Sequence, residues 1–133
     1  MKRVVVNGCF DILHLGHLRL LAYAKSIPDS YVMVLIDSDR RVKEHKGQSR
    51  PINPQGERAA MLSALRYVDQ VRIFDSDEEL ADMIAQFGAD IMVKGSDYKD
   101  KPIIGSEYCK EIRFYDIVNG YSTTSKIQSI TNR

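Results

Sequence analysis

Two histidines and two glycines stand close together near the start of the chain, in the stretch NGCFDILHLGH. His14 and His17 are three residues apart, so on a helix they lie on one face, and Gly16 between them leaves room for a flat group to approach. Gly8 permits a turn in which backbone N–H groups face a ligand, and a helix that follows adds the positive end of its dipole. The stretch therefore predicts an anion-binding site in which two imidazoles donate to phosphate oxygens.

Other interpretations of the two histidines stay open at this point. Histidines near a helix start are often surface or capping residues. A zinc site is a further alternative, but H-x-x-H supplies only two ligands, and nothing in the sequence favours Asp11 or His45 as a third. The glycine turn that precedes the histidines favours phosphate more than the histidines do alone.

A second candidate is the basic segment RRVKEHKGQSR, residues 40–50. Such charge clusters are usually solvated faces, but this one follows a predicted strand and should lie beside the ligand cleft. We interpret it as a mobile loop whose lysines offset the repulsion between two anionic substrates and close over both. Lys46 is the first candidate and Lys43 the second, while Arg58, in the first turn of the next predicted helix, lies either at the cleft or on the surface.

The polar segments VKGSDYKDKP and NGYSTT contain the remaining candidates. Asp97 is placed to accept hydrogen bonds from ribose or sugar hydroxyls, although an ordinary turn aspartate is an equal alternative. Hydroxyls and free N–H groups at a helix start can hold phosphate, and simple N-capping by Ser122 would explain one of the three hydroxyl residues there. The candidates in these segments are Gly95, Asp97, Gly120, Ser122, Thr123 and Thr124.

These residues are connected by alternating strand and helix patterns. The predicted strands are RVVVNG, SYVMVLIDSD, QVRIF, ADIMVKG and EIRFYDI. Near-continuous apolar strands joined by helices predict a five-stranded parallel sheet with helices on both faces, a Rossmann-like α/β fold. Ligands bind such sheets beyond the carboxyl ends of the strands, where the strand order reverses, which is where the candidate residues stand.

Three of the predicted helices carry capping signals. Asn53 is predicted to cap the second helix, with Pro54 in its first turn. Ser76 and Glu79 form a capping-box pattern at the third. Ser122 is predicted to cap the last helix, with Ile127 and Ile130 directed inward.

Composition limits the class of protein. The chain has 133 residues, which fits one domain over 1–133, and its 19 Lys+Arg against 18 Asp+Glu do not indicate a surface that coats a polyanion. Cys9 and Cys109 match no C-x-x-C spacing, which favours a reducing compartment. No apolar run approaches the ~20 residues of a membrane span, and the first residues lack the apolar core of a signal peptide. We therefore expect a cytoplasmic protein that binds neither membrane nor nucleic acid.

Four of these segments together resemble the motifs of a known family. GCFDILHLGH resembles the H-x-G-H signature of the cytidylyltransferase-like nucleotidyltransferase superfamily, and KGQSRPINPQGER, VKGSDY and NGYSTT resemble, in order and spacing, its heptose 1-phosphate adenylyltransferase branch. The resemblance implies transfer of NMP from an NTP to a phosphorylated acceptor with release of pyrophosphate. It further implies ATP and a heptose 1-phosphate-like acceptor as substrates, an ADP-sugar as product, and Mg²⁺ bound mainly through the NTP phosphates.

The resemblance also implies roles for individual residues. It places the nucleotide phosphates against the backbone at Cys9 and Phe10, and it places Asp11 toward the acceptor or the metal. The K-G-x-x-R-P pattern of the family falls on Lys46, Gly47, Arg50 and Pro51. The implied catalytic residues are His14, His17 and Lys46, and no protein ligand to the metal is identified. The nucleotide-binding set is Gly8, Cys9, Phe10, His14, Gly16, His17, Lys46, Gly95, Asp97, Gly120, Tyr121, Ser122, Thr123 and Thr124, and the acceptor-binding set is Asp11, Lys43, Arg50 and Arg58.

Three positions depart from the family pattern. Cys9 replaces a threonine or valine, so that position is expected to contribute by its backbone alone. Ile117 stands where glycerol 3-phosphate cytidylyltransferases have an arginine, which argues against that branch, and Asn119 replaces an acidic residue. A CTP-dependent enzyme acting on glycerol 3-phosphate or another phosphoalcohol remains the alternative within the class, and a nucleotide-binding regulator without turnover the alternative outside it. RNA binding is disfavoured because no aromatic residues alternate with the basic ones.

The sequence also predicts a homodimer with the nucleotide bound within each subunit. A small α/β domain has a large surface relative to its core, and a second copy commonly covers an edge strand. The segment LRYVDQVRIF, with Leu65, Val68, Val71 and Ile73, is the predicted interface. The alternative is that these side chains fill the core of the monomer.

Overall fold

The computed structural model describes residues 1–116 and 122–133. Its strands are β1 (Lys2–Gly8), β2 (Ser30–Asp37), β3 (Gln70–Phe74), β4 (Ile91–Gly95) and β5 (Glu111–Tyr115). Its helices are α1 (Leu15–Ser26), α2 (Asp39–Lys46), α3 (Gln55–Ser63), α4 (Asp77–Phe87) and α5 (Thr123–Thr131), and two short 3₁₀ turns, Ser96–Tyr98 and Ser106–Tyr108, lie between β4 and β5. No helix in the described ranges is long and apolar enough to cross a membrane.

The five strands form one sheet in the order β3-β2-β1-β4-β5, and each adjacent pair is parallel. The central strands are buried on both faces, as parallel strands under helices must be, because Val4 to Val6 and Val32 to Ile36 are at most 2% exposed. The predicted Rossmann-like fold is confirmed. The strand order reverses between β1 and β4, where a ligand crevice is expected.

The helices divide between the two faces because of the path of the chain. From β1 to β2 to β3 the chain moves outward, and α1 and α3 cover one face, where Leu21 and Leu62 join a first core cluster. From β3 it returns across the sheet to β4, and a right-handed crossover in that direction puts its helix on the other face. There Leu80 and Ile84 of α4 join a second core cluster.

Helix α2 differs from the prediction of a mobile basic loop. Only one of its side chains, Val42, is buried, so the segment lacks the apolar stripe by which helices are recognised. The Ser38 hydroxyl caps it by accepting from the backbone N–H of Arg41, and Arg40 and Glu44 form an i,i+4 ion pair. Lys46 therefore stands in the last turn of a helix, where a cation is favourable.

The capping predictions are partly right. Ser76 caps α4 and Ser122 caps α5 through their hydroxyls, as predicted, but the Glu79 carboxylate accepts from the backbone N–H of Asp75 and not from that of Ser76. The prediction for Ile130 is wrong, because this side chain is 67% exposed, while Ile127 is half-buried.

Asp11 has a structural position. It is 2% exposed, and its carboxylate accepts from the backbone N–H groups of Ile52 and Asn53, both at 2.8 Å. The Asn53 amide donates back to the Asp11 carbonyl at 3.0 Å. The prediction that Asp11 faces the acceptor or the metal is therefore wrong. The same contact occupies Asn53, so α3 begins after Pro54 without a side-chain cap.

Arg58 also differs from its prediction, because it is 1% exposed and directed at acceptors inside the protein. Its guanidinium donates to the carbonyls of Asn53, Cys9 and Asp37 and to the Asp39 carboxylate, at 2.8–2.9 Å. It therefore ties the ends of β1 and β2 to the starts of α2 and α3, and it lies neither at an acceptor site nor on the surface.

We expect Arg58→Met to lower the free energy of unfolding by about 3–5 kcal/mol, because it leaves three carbonyls and a carboxylate without their donor. Urea denaturation measures the change. The matched control is Arg19→Met, an exposed arginine on α1, which should stay within about 0.5 kcal/mol of the parent protein. Equal effects of the two substitutions would contradict the role given to Arg58.

Candidate nucleotide-binding site

A cavity of about 620 Å³ lies at the carboxyl ends of the strands, beside β1 and β4. It contains most of the residues that the sequence indicated as nucleotide-binding: Gly8, Cys9, Phe10, His14, Gly16, His17, Lys46, Gly95, Asp97, Ser122, Thr123 and Thr124 line it. Gly120 and Tyr121, together with Ile117 and Asn119, lie outside the described residues. The fold thus brings together four motifs that are far apart in sequence, while the roles of the individual residues remain predictions.

The loop after β1 is held against the sheet by Phe10. This residue is 5% exposed and has a φ of 51°, in the left-handed region. A Cβ atom at Gly8 would stand 3.1 Å from the Phe10 ring, so the tight packing of this loop favours glycine there. The loop consequently stays close to the strand end and leads the chain directly into α1.

His14 and His17 form a reciprocal cap at the start of α1. The backbone N–H of His17 donates to Nδ1 of His14, the N-cap residue, and the backbone N–H of His14 donates to Nδ1 of His17. The two rings are stacked, with their centroids 3.7 Å apart. This is the geometry of a capping box with imidazoles in place of hydroxyl and carboxylate groups. Capping and phosphate binding were alternatives on the sequence, whereas this arrangement allows both.

The cap determines which ring nitrogen carries the proton. Since Nδ1 accepts a hydrogen bond in both rings, the proton of each neutral imidazole is on Nε2, which is left to donate to a ligand. Burial, and then His14 and Lys46, lower the pKa of His17 from 6.5 to about 3. Burial and then Lys126 also lower the pKa of His14. The pair is therefore a set of neutral hydrogen-bond donors near neutral pH.

The start of α5 borders the same part of the cavity. Ser122 caps the helix, and the Thr123 hydroxyl donates to the carbonyl of Ile12 in the first loop at 3.4 Å. Arg50 donates to the Thr124 hydroxyl at 3.2 Å. Two helix N-termini thus border one cavity, an arrangement that favours bound anions.

The basic residues of the segment 40–50 separate into different groups. Lys46 and His45 line the cavity, while Lys43 and Arg50 do not. Arg40 pairs with Asp75 and Glu44, and Arg41 pairs with Asp37 and Asp77. Much of this charge is consequently neutralised within the protein, and Lys46 is the lysine of the segment that the fold directs to the cavity.

Cys9 lines the cavity, and its thiol is not activated. Burial is the largest cause that raises its pKa, although Lys46 and Arg58 act in the opposite direction. A thiol with a raised pKa is a poor nucleophile at neutral pH. The expectation that Cys9 contributes through its backbone stays a prediction.

One side of the cavity was not predicted from the sequence. Side chains alternate along a strand, so Asn7, Asp37 and Lys94 are directed to the face of the second core cluster, opposite to α1. All three line the cavity. We call this part the lysine side, formed by Asn7, Asp37, Lys94, Tyr98 and the apolar Phe74, Leu80 and Ile103, and we call the part formed by His14, Gly16, His17, Ser122, Thr123 and Thr124 the histidine side.

The signal for the lysine side was present in the sequence. Asn7 and Lys94 are polar residues near the ends of otherwise apolar strands, and their strands are neighbours only because the order reverses at β1. Once the strand order is known, the alternation of side chains along each strand places Asn7 and Lys94 on the same face of the sheet. In the described part of the chain, no group of three or more His, Cys, Asp or Glu side chains is placed to hold a metal ion.

Comparison with known proteins adds to this geometry. The family model described as cytidylyltransferase-like matches residues 5–127. Among curated relatives, the bifunctional protein HldE of Campylobacter fetus subsp. fetus is 51% identical over 127 residues, and that of Nitratiruptor sp. is 48% identical over 128 residues. Each alignment covers 96% of this chain but 27% of the relative, so the chain spans about a quarter of the length of these proteins.

A solved structure is also similar. The lipopolysaccharide core biosynthesis protein from Thermoplasma volcanium GSS1 superimposes with a TM-score of 0.71 at 27% sequence identity. The match covers 89% of this chain and 99% of the other. The sheet and its helices are therefore shared with a protein of almost the same extent.

We expect the His17 ring to stay neutral at pH 5, with its proton on Nε2, because burial disfavours the charged form and protonation would remove the Nδ1 acceptor. Nitrogen-15 NMR of labelled histidine reports both the charge and the tautomer. The same ring in the urea-unfolded chain, which should titrate near its ordinary pKa of 6.5, is the reference.

The depressed pKa has a consequence for stability with a definite sign. Between about pH 6.5 and 3 the unfolded chain binds a proton at His17 that the folded chain does not, so acidification through this window destabilises the fold. His17→Asn keeps an acceptor for the cap and should reduce this pH dependence. A doubly protonated His17 ring in the folded protein at pH 5 would contradict the assignment.

Proposed function

The chain belongs to the cytidylyltransferase-like family, and we propose that it is a nucleotidyltransferase that joins an NMP to a sugar phosphate with release of pyrophosphate. The proposed donor is ATP and the proposed acceptor a heptose 1-phosphate-like compound, which gives an ADP-sugar. The observation that carries the proposal is the stacked, neutral histidine pair, which lines the cavity beside the starts of α1 and α5.

In this proposal the triphosphate lies on the histidine side. The Nε2–H groups of His14 and His17 donate to its oxygens, and their hydrogen bonds strengthen as negative charge moves onto the leaving group. An acceptor phosphate oxygen attacks the α-phosphorus in line. The new P–O bond forms as the bond between the α-phosphorus and the bridging oxygen breaks, and pyrophosphate leaves with that electron pair.

No general base is needed for this reaction. A phosphate monoester oxygen is already ionised near neutral pH, so attack requires no proton removal. The remaining obstacle is the repulsion between two anions, and Lys46 lines the cavity where it can offset that repulsion. Because Lys46 belongs to α2, it acts from a helix and not from a mobile loop.

Mg²⁺ is proposed as the metal, held mainly by the phosphates of the NTP. The side chains on the histidine side are imidazoles and hydroxyls, whereas Mg²⁺ prefers charged oxygen ligands, which the triphosphate provides. When bound, the ion would neutralise charge on the triphosphate. The protein residues described above then hold and orient the nucleotide.

Pyrophosphate release tests the proposal directly. Each of the four common NTPs is combined with a panel of sugar 1-phosphates, including heptose 1-phosphates, and with glycerol 3-phosphate. Release that requires both ATP and a sugar phosphate is the expected result. Release with CTP and glycerol 3-phosphate would move the protein to the cytidylyltransferase alternative, and NTP binding without release from any pair would identify a regulator.

We expect His14→Ala or His17→Ala to lower kcat by at least ~100-fold with a much smaller change in NTP affinity, because the contacts strengthen in the transition state. Steady-state kinetics and titration with a non-hydrolysable NTP analogue separate the two effects. The matched variant is His14→Asn, which keeps a good N-cap residue but removes the imidazole. It should retain the stability of the helix and still lose turnover, and equal losses in binding and kcat would indicate ground-state contacts only.

We further propose a homodimer that is paired near the edge strand β3 and whose nucleotide sites lie within single subunits. The side chains of Leu65, Val71 and Ile73 are partly buried against the first core cluster, and Val68 belongs to it, so much of the apolar surface predicted for the interface is already covered. The support that remains is the edge position of β3. Light scattering at micromolar concentration should give twice the mass of the 15.1 kDa chain, and an active species with the mass of one chain would refute the dimer.

A further inference from the structure

Lys94 is a buried cation at the end of β4. It is 8% exposed, although it lines the cavity. Lysine is almost never this buried unless its charge is paired, because desolvation of an ammonium group is costly. The proposed binding of the triphosphate on the histidine side does not explain why an ammonium group is buried at this position.

The protein itself pairs the Lys94 charge only weakly. Its Nζ lies over the Tyr98 ring, 4.3 Å from the centroid, which is a cation–π contact. Asp37 and Asp97 act on it through space, but their effect is smaller than that of burial, and the pKa of Lys94 is lowered. Within residues 1–116 and 122–133, Lys94 forms no ion pair and donates no hydrogen bond.

The carboxylate that could pair with Lys94 is engaged elsewhere. Asp37 accepts from Nε of Arg41 at 3.0 Å, and Arg41 also pairs with Asp77. Both Asp37 and Arg41 line the cavity. The ammonium group of Lys94 is thus left as a positive charge without a bound anion in a poorly solvated wall, where a negatively charged ligand would be held strongly.

Asn7 provides a second unsatisfied polar group on the same side. Its Oδ1 atom is buried and has no hydrogen-bond partner among the described residues. No protein donor therefore determines how the amide is turned, and the group is able to orient toward a ligand. Next to these polar groups, Phe74, Leu80 and Ile103 form an apolar surface of the cavity.

We infer that the lysine side is the acceptor subsite, in which Lys94 binds the phosphate of a sugar phosphate while Asn7 and Asp37 bind its hydroxyls and the apolar wall packs on its C–H groups. This inference rests on the proposed function, which requires two anionic substrates in one cavity. It assigns the acceptor to the face of the sheet opposite to the histidines.

The distribution of the cations supports a division between two anions. Lys46 is close enough to His17 and Cys9 to influence their pKa values, so its charge belongs to the histidine side. One lysine for each anion would hold the two phosphates in adjacent positions across the end of β1, where attack on the α-phosphorus takes place.

Lys94→Met tests the inference, because methionine has a similar length and no charge. We expect the acceptor KM to rise about 10- to 100-fold, the range for loss of a hydrogen bond to a charged group, with NTP affinity unchanged within about twofold. Retained NTP affinity also shows that the variant is folded. The matched control is Lys99→Met, an exposed lysine in the following turn that does not line the cavity, and it should leave both constants unchanged.

Direct binding tests the subsite without turnover. The probe is α-D-mannose 1-phosphate, added in excess to isotope-labelled protein and followed by NMR of the Lys94, Tyr98 and Asn7 side chains. The expected result is shifts at all three residues in the parent protein, with the shifts at Tyr98 and Asn7 absent in Lys94→Met and retained in Lys46→Met. Shifts confined to the histidine side, or none at Lys94, would overturn the inference.

The two experiments separate failure of the inference from failure of the proposed function. Pyrophosphate release with an acceptor KM unchanged in Lys94→Met overturns the acceptor subsite and leaves the nucleotidyltransferase intact. Absence of pyrophosphate release with any substrate pair overturns the proposed function, and the NMR titration then decides whether the lysine side binds a sugar phosphate. An equal loss of NTP and acceptor affinity in Lys94→Met would assign Lys94 to the nucleotide and overturn the inference.

Discussion

The strand order reverses at β1, and this reversal determines where the helices and the cavity lie. Because crossovers between parallel strands are right-handed, the outward path over β2 and β3 puts α1 and α3 on one face, and the return to β4 puts α4 on the other. The chain leaves the end of β1 toward one face of the sheet and the end of β4 toward the other. The connecting helices therefore leave the space between the carboxyl ends of these two strands open. The cavity lies there and reaches both faces of the sheet, which is why it has a histidine side and a lysine side.

At the start of α1, the same two imidazole rings cap the helix and remain available to bind a ligand. The Nδ1 atoms of His14 and His17 satisfy N–H groups that a helix start leaves unpaired, and this leaves the Nε2–H groups for the ligand. In most proteins a serine or aspartate would cap the helix and a separate residue would bind phosphate. Here the cap holds the tautomer, the ring orientation and the neutral state together, so the donors are preorganised before any ligand arrives.

The buried charges differ in how far the protein itself satisfies them. Arg58 and Asp11 are almost completely buried and are directed at backbone groups of neighbouring loops, so they act as rigid internal connections. Lys94 is nearly as buried, but among residues 1–116 and 122–133 its charge is balanced by a cation–π contact with Tyr98 and by two carboxylates at a distance. Satisfied buried ions stabilise the loops that form the cavity, whereas an unsatisfied one adds free energy that a bound anion would lower.

The five strands and four of the five described helices could be predicted from the sequence in their correct order, because strand and helix signals are local. Apolar runs identified β1 to β5, and the hydroxyls of Ser76 and Ser122 marked helix starts through bonds to residues three positions away. The pattern around His14 and His17 was recognisable for the same reason. Helix α2 was missed because its local signal is weak, with Val42 as its one buried side chain.

The roles of the buried polar residues could not be predicted from local sequence patterns. Asp11 bonds to backbone groups 41 and 42 positions away, and the acceptors of Arg58 lie 5 to 49 positions away. No local pattern distinguishes such residues from ones that face a ligand. Lys94 and Asn7 become neighbours of one cavity only because β4 pairs with β1, a contact between strands that are far apart in the chain. Local sequence determines conformation over a few residues, but burial and hydrogen-bond partners depend on which distant segments the fold brings together.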